Sequence, residues 1–131
     1  MTSASKMNAP DLQTKSLTFI SRHGPYGSDN AQICLDVVLA SSVFDQDVSY
    51  LFMGDGVYQL LGNQHPDTID SKNLLAALQA LEIYGVDKVF VDRLSLQKRQ
   101  LSPDELAIAV TVLSADEVKT LVHETDQVFV L

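Results

Sequence analysis

The chain has 131 residues, with 46% hydrophobic and 20% charged residues, a length and balance that suit one folded domain and exclude a largely disordered chain. Its formal net charge of −8 and sequence pI near 4.5 oppose direct binding to nucleic acid or to an anionic membrane, both of which need clustered Lys and Arg. A single cysteine, Cys34, excludes an intramolecular disulfide and a cysteine-based metal site, and fits a reducing cytoplasm.

Residues 1–15 are polar, lack the apolar core of a signal peptide, and read as a flexible N-terminal leader. The longest apolar runs, such as Ile108 to Leu113, are far too short to span a bilayer. From residue 16 onward, β-type runs alternate with helical patterns. Ser16 to Ser21 is the first strand, closed by the turn-rich stretch His23-Gly24-Pro25-Tyr26-Gly27. Ser28 or Asp29 then caps a helix whose apolar positions, including Ile33, Val37 and Val38, recur at helical spacing through Phe44.

Val48 to Met53 is the second strand, stopped by Gly54-Asp55-Gly56. A short helical turn over 57–61 precedes the loop Asn63-Gln64-His65-Pro66. A longer helix runs from about Ser71 to Tyr84, with Leu74, Leu75, Leu78 and Leu81 as its buried stripe and Gly85 as its cap. Lys88 to Val91 is the third strand. The connection 92–103 has helical character around Leu94 to Lys98, and Pro103 opens a short element. Ala107 to Val112 is the fourth strand. Ser114 and Glu117 form a capping box for a helix carrying Val118, Leu121 and Val122, and Gln127 to Leu131 is the fifth strand.

Strand–helix alternation with continuously apolar strands predicts an α/β fold, a single three-layer α/β/α domain over residues 16–131 with a mainly parallel five-stranded sheet. Ligands of such folds gather at the C-terminal edge of the sheet, here the loops at 22–29, 54–56 and 92–96.

The candidate chemistry is sparse. The loop at 22–29 precedes a helix and offers a small-anion site, yet it matches neither the P-loop nor the dinucleotide fingerprint. Asp55 reads as a general base or metal ligand, or else as a turn residue or cap. His23, His65 and His123 have no metal-ligand spacing, no serine sits in a nucleophile elbow, and Asp116-Glu117 fit a helix first turn. Cys34 reads as a functional thiol or, being mid-helix, as a small buried hydrophobe. No catalytic, cofactor-binding or metal-ligating set emerges.

One run carries a resemblance. Phe52-Met53-Gly54-Asp55-Gly56-Val57-Tyr58-Gln59-Leu60-Leu61 resembles the DGVxQLL signature of the DsrF/TusC family, within the larger DsrE group. Leu81 to Val86, Ser95 to Leu101 and Val112 to Glu117 are similar to the same family at the level of pattern, so the resemblance spans about residues 16–131. It implies a DsrE-like fold and a non-catalytic subunit of a cytoplasmic sulfur-relay heterohexamer. The partners it implies are DsrE/TusD-like and DsrH/TusB-like subunits, which pass persulfide sulfur toward 2-thiouridine at the tRNA wobble position. The alternatives are a DsrF-type role in cytoplasmic sulfur oxidation, or a stand-alone sulfurtransferase using Cys34. A homo-oligomer of the isolated chain is a further expectation.

In that family the acceptor cysteine lies on the DsrE/TusD subunit, in the loop after strand three. Here the corresponding stretch, Val91-Asp92-Arg93-Leu94-Ser95, has no cysteine, and a carboxylate cannot attack sulfane sulfur. The resemblance therefore implies a supporting subunit. Its expected partner face is the signature itself, Asp55, Gly56, Val57, Tyr58, Leu60 and Leu61.

Overall fold

A computed structural model describes residues 14–25, 28–44, 46–61 and 69–131. Most of the leader (1–13), the pair Tyr26-Gly27 and the loop containing His65 lie outside the described residues.

Five strands form one sheet: β1 (Ser16–Ser21), β2 (Asp47–Phe52), β3 (Lys88–Asp92), β4 (Thr111–Leu113) and β5 (Gln127–Val130). Their order is β4-β3-β2-β1-β5, and every pairing is parallel. The helices are α1 (Asn30–Val43), α2 (Ile69–Gln79), α3 (Arg93–Lys98) and α4 (Ala115–Glu124), with 3-10 helices at Gly54–Leu60, Leu81–Tyr84 and Pro103–Glu105. None of the described helices is long and apolar enough to cross a membrane.

The register sorts side chains onto two faces. Phe129, Phe19, Tyr50 and Val89 lie side by side across four strands, and strand side chains alternate between faces. Their face carries the larger core, where Phe19, Tyr50, Phe52 and Val91 meet Leu35 and Val38 of α1, Leu74 and Leu78 of α2, and Val57 and Leu60. The opposite face carries Ile20, Leu51 and Leu113, packed against Val118, Leu121 and Val122 of α4. The sheet is thus covered on both sides, as its continuously apolar strands require.

Two helix ends follow their sequence signals closely. Ser114 caps α4 and Glu117 closes the capping box, Ser114 N–H donating to Glu117 Oε1 at 2.8 Å. Gly85 takes the left-handed conformation (φ 87°) after Leu81–Tyr84.

Three boundaries differ from the sequence reading. The long second helix stops at Gln79 and continues as a separate 3-10 turn. Residues 92–96 are no loop, since β3 runs to Asp92 and α3 starts at Arg93. The fourth strand is Thr111–Leu113, not 107–112. Leu106, Ile108 and Val110 do alternate and pack on the core, but the ladder with β3 begins only at Phe90↔Thr111. The segment before it is held instead by Ala107 N–H donating to the Leu60 carbonyl at 2.8 Å and by a bridge between Leu61 and Leu106.

Candidate functional site at the C-terminal edge of the sheet

β1, β2 and β3 end side by side, so the segments that follow them converge on one edge of the sheet. The turn after β2 packs directly on the end of β1. Met53 N–H donates to the Ser21 carbonyl at 3.1 Å and Gly56 N–H donates to the Met53 carbonyl at 2.9 Å. A side chain at Gly56 would overlap the Ser21 carbonyl oxygen, so only glycine permits this approach. Gly54 has φ 55°, in the left-handed region that glycine occupies at least cost.

Each remaining residue of the signature has a tether. Val57 and Leu60 are wholly buried in the larger core. Gln59 is buried, and its Nε2 donates to Ser21 Oγ at 2.8 Å and to the His23 carbonyl at 2.7 Å. Asp55 accepts from Arg99 Nε at 3.2 Å and from Nη2 at 2.9 Å, while the Arg99 guanidinium lies 5.9 Å from the centre of the Tyr58 ring. Asp55 is thus an ion-pair partner in a turn.

The expected partner face needs correction on this point. Gly56, Val57 and Leu60 face into the domain and present nothing to a partner, because the 3-10 helix turns them onto β1 and the core. Asp55 is exposed and Tyr58 and Leu61 are half-buried. Hydrophobicity alone cannot separate an interface residue from a core residue, which is why the run reads as surface in the sequence. Gln59, whose signal in the sequence is its place within an otherwise apolar run, is a further polar residue of the site.

At the end of β3, Asp92 is buried and caps α3. Its Oδ2 accepts from Ser95 N–H at 3.0 Å and from Ser95 Oγ at 2.6 Å. Ser95 Oγ in turn accepts from Gly54 N–H at 2.9 Å. Asp92, Ser95 and Gly54 thereby join the ends of β3 and β2, and the carboxylate is committed to hydrogen bonds.

Cys34 sits on the inner side of α1, fully buried. Its thiol lies against the Ser21 and Tyr50 hydroxyls, and burial pushes its pKa up despite those two contacts. Burial likewise holds the Tyr50 phenol well above its ordinary value. Such surroundings favour the neutral thiol, the opposite of what activates a nucleophile. Asp29, at the start of α1, places a carboxylate where the 22–29 loop would bind an anion, and makes no capping bond with its side chain. Ser28 Oγ accepts from Asn30 N–H there at 3.4 Å. His23 lies at the C-terminal edge and His123 in the last turn of α4, at the other end of the sheet. His65 lies outside the described residues. The described residues contain no group of three or more His, Cys, Asp or Glu placed to hold a metal.

Comparison with known proteins adds to this geometry. The profile of the DsrE/DsrF-like family matches residues 15–131. The chain is 42% identical over 118 residues to the protein named TusC homolog of Pseudomonas aeruginosa, covering 90% of this chain and 99% of that one. It is 38% identical over 129 residues to the intracellular sulfur oxidation protein DsrF of Allochromatium vinosum, covering 88% and 95%. Among solved structures, the YchN protein of E. coli superposes with a TM-score of 0.73 at 20% identity, over 90% of this chain and all of that one. At that identity it speaks for the fold alone.

Proposed function

The chain belongs to the DsrE/DsrF-like family, and from that premise we propose that it is a non-catalytic subunit of a cytoplasmic sulfur-relay complex, supporting persulfide transfer for 2-thiouridine synthesis at the tRNA wobble position. The observation that carries the reading is the 42% identity to the Pseudomonas protein named TusC homolog, across nearly that protein's whole length. The geometry supports the non-catalytic part. At the end of β3, where the family's relay subunit has its acceptor cysteine, this chain has Asp92 bound to Ser95. Its one cysteine is buried, with its pKa raised. Sulfur relay needs a thiolate that can reach a sulfane sulfur, and neither position offers one.

The partners in this reading are DsrE/TusD-like and DsrH/TusB-like subunits. Asp55, Tyr58 and Leu61 are the signature residues with surface left to contact them. Co-expression of the three chains with a tag on one tests this: a single complex containing all three is the expected result, and recovery of the tagged chain alone removes the proposal. Deletion of the gene is expected to deplete 2-thiouridine from tRNA. The identity to DsrF favours a second reading, in which the complex serves sulfur oxidation. Unchanged 2-thiouridine with impaired sulfur oxidation would select it.

A further inference from the structure

The flank of the domain built from α1 and β5 is apolar where it meets solvent. On α1, Ile33 is 48% exposed and Val43 more so, as is Phe44 just past its end; on β5, Phe129 is 40% and Val130 59% exposed. A groove of about 500 Å³ runs between the two elements, floored by Leu17 and Phe19 and walled by Val37 and Phe129. No charged side chain among the described residues lines it. The one charged residue of α1, Asp36, accepts from Gln32 Nε2 at 3.0 Å.

Among the described residues β5 is also an edge strand, paired with β1 on one side only. Leu131 N–H donates to the Ile20 carbonyl at 2.9 Å, and Arg22 N–H donates to the Leu131 carbonyl at 3.1 Å. In a parallel ladder successive residues alternate in the direction their N–H and C=O groups point. Leu131 and Phe129 therefore turn theirs toward β1, and Val128 and Val130 turn theirs outward. An apolar edge with no Lys, Pro or bulge invites pairing with another strand, and isolated domains avoid it.

We propose that this flank is where a second copy of the chain docks, about a two-fold axis that pairs the two β5 strands antiparallel across Phe129. Three observations select a second copy. First, Val128-Phe129-Val130 reads the same in both directions. A two-fold through Phe129 thus sets Val128 opposite Val130 of the second copy and the two phenylalanines opposite each other, the self-complementarity an isologous contact needs. Second, the hydrogen-bonding parity agrees. Val128 and Val130, which hold the outward groups, become the hydrogen-bonded pairs, and Phe129 becomes the non-bonded pair, whose side chains approach most closely. Third, each copy carries a net charge of −8, and no charged side chain among the described residues lines this groove, so two copies meet here with no like-charged side chains from that lining in contact. The two sheets become one of ten strands, with the α1 helices beside the stacked pairs that Phe19 and Phe129 form at 5.1 Å in each copy.

Sedimentation of the full chain purified alone tests the contact. The expected result is a dimer. Val130→Lys should weaken it by about tenfold or more, since a lysine on an apolar edge opposes pairing. Leu94→Lys, on α3 at the far side of the sheet, should leave it unchanged. Circular dichroism of each variant shows whether it is folded, and Val37→Glu repeats the test from α1. A monomeric wild-type chain, or a dimer indifferent to both Val130→Lys and Val37→Glu, overturns the proposal. A monomer that still joins a three-subunit complex overturns it while leaving the relay reading intact. A dimer that fails to join that complex supports it and removes the relay reading.

Discussion

The C-terminal edge of the sheet and the α1–β5 flank are both rich in apolar residues, yet they are opposite kinds of surface. At the edge, groups at the ends of β1, β2 and β3 are tied together: Ser21 to Met53 and Gln59, Asp92 to Ser95, Ser95 to Gly54, Asp55 to Arg99. At the flank, apolar side chains are exposed to solvent around a groove, and among the described residues no strand pairs with the outer side of β5. In related α/β folds the C-terminal edge is the place for ligands. In this chain its described polar side chains are bonded to one another, and the apolar groove of the described residues lies at the flank instead.

The largest effect that would break this contrast is expected from Gly56→Ala. The new methyl overlaps backbone at Ser21, which no rotamer change relieves, so a loss of about 3 kcal/mol or more in urea denaturation is expected. A loss under about 1 kcal/mol would mean that the turn is not pressed onto β1. Gln59→Ala comes next. It removes the donor to Ser21 Oγ and the His23 carbonyl and leaves space in a buried site, at a cost of about 2 kcal/mol by the same assay. Arg99→Ala should cost no more than about 1 kcal/mol, because Asp55 is largely exposed and the pair is screened by solvent; a marked loss would place that ion pair among the main ties of the edge.

The smallest effect concerns pH. Hydrogen bonds from Ser114 hold the Glu117 carboxyl below its ordinary value of 4.5, and those from Ser16 hold Asp126 below 3.8. A depressed folded-state pKa contributes stability that is present above the unfolded value and disappears as pH falls through the folded one. Stability should therefore decline slightly below about pH 4.5, and Glu117→Gln should remove part of that decline. Thermal melts between pH 3 and pH 7 check this, and an unchanged slope in Glu117→Gln would count against it.

Much of the fold was legible because its signals are local. Four strands, the capping box at Ser114 and the Gly85 cap follow from periodicity and turn chemistry. The fourth strand begins later than the pattern predicts because Leu106, Ile108 and Val110 alternate like a strand while the backbone at Leu106 and Ala107 pairs with Leu61 and Leu60 instead of β3. That partner is set by tertiary packing and leaves no mark in the local pattern. The inner and outer faces of α1 were illegible for a similar reason: Ile33 and Val37 are as apolar as Leu35 and Val38, yet they point outward. At the site, the missing cysteine after β3 was visible in the sequence. The bond between Asp92 and Ser95 follows an ordinary helix-cap spacing. The contact between Gly56 and Ser21 joins residues far apart in the chain and needed the structure.

On the proposed reading this chain supports sulfur transfer without carrying sulfur. It is tested most directly by assembling the three-subunit complex with Cys34→Ala, loading it from a persulfide donor, and counting persulfide by mass spectrometry on each chain. The expected result is the same loading of the partner subunits and the same onward transfer as with the wild-type chain, with no persulfide on Cys34 in the wild type. Persulfide on wild-type Cys34, together with loss of onward transfer in Cys34→Ala, would contradict it.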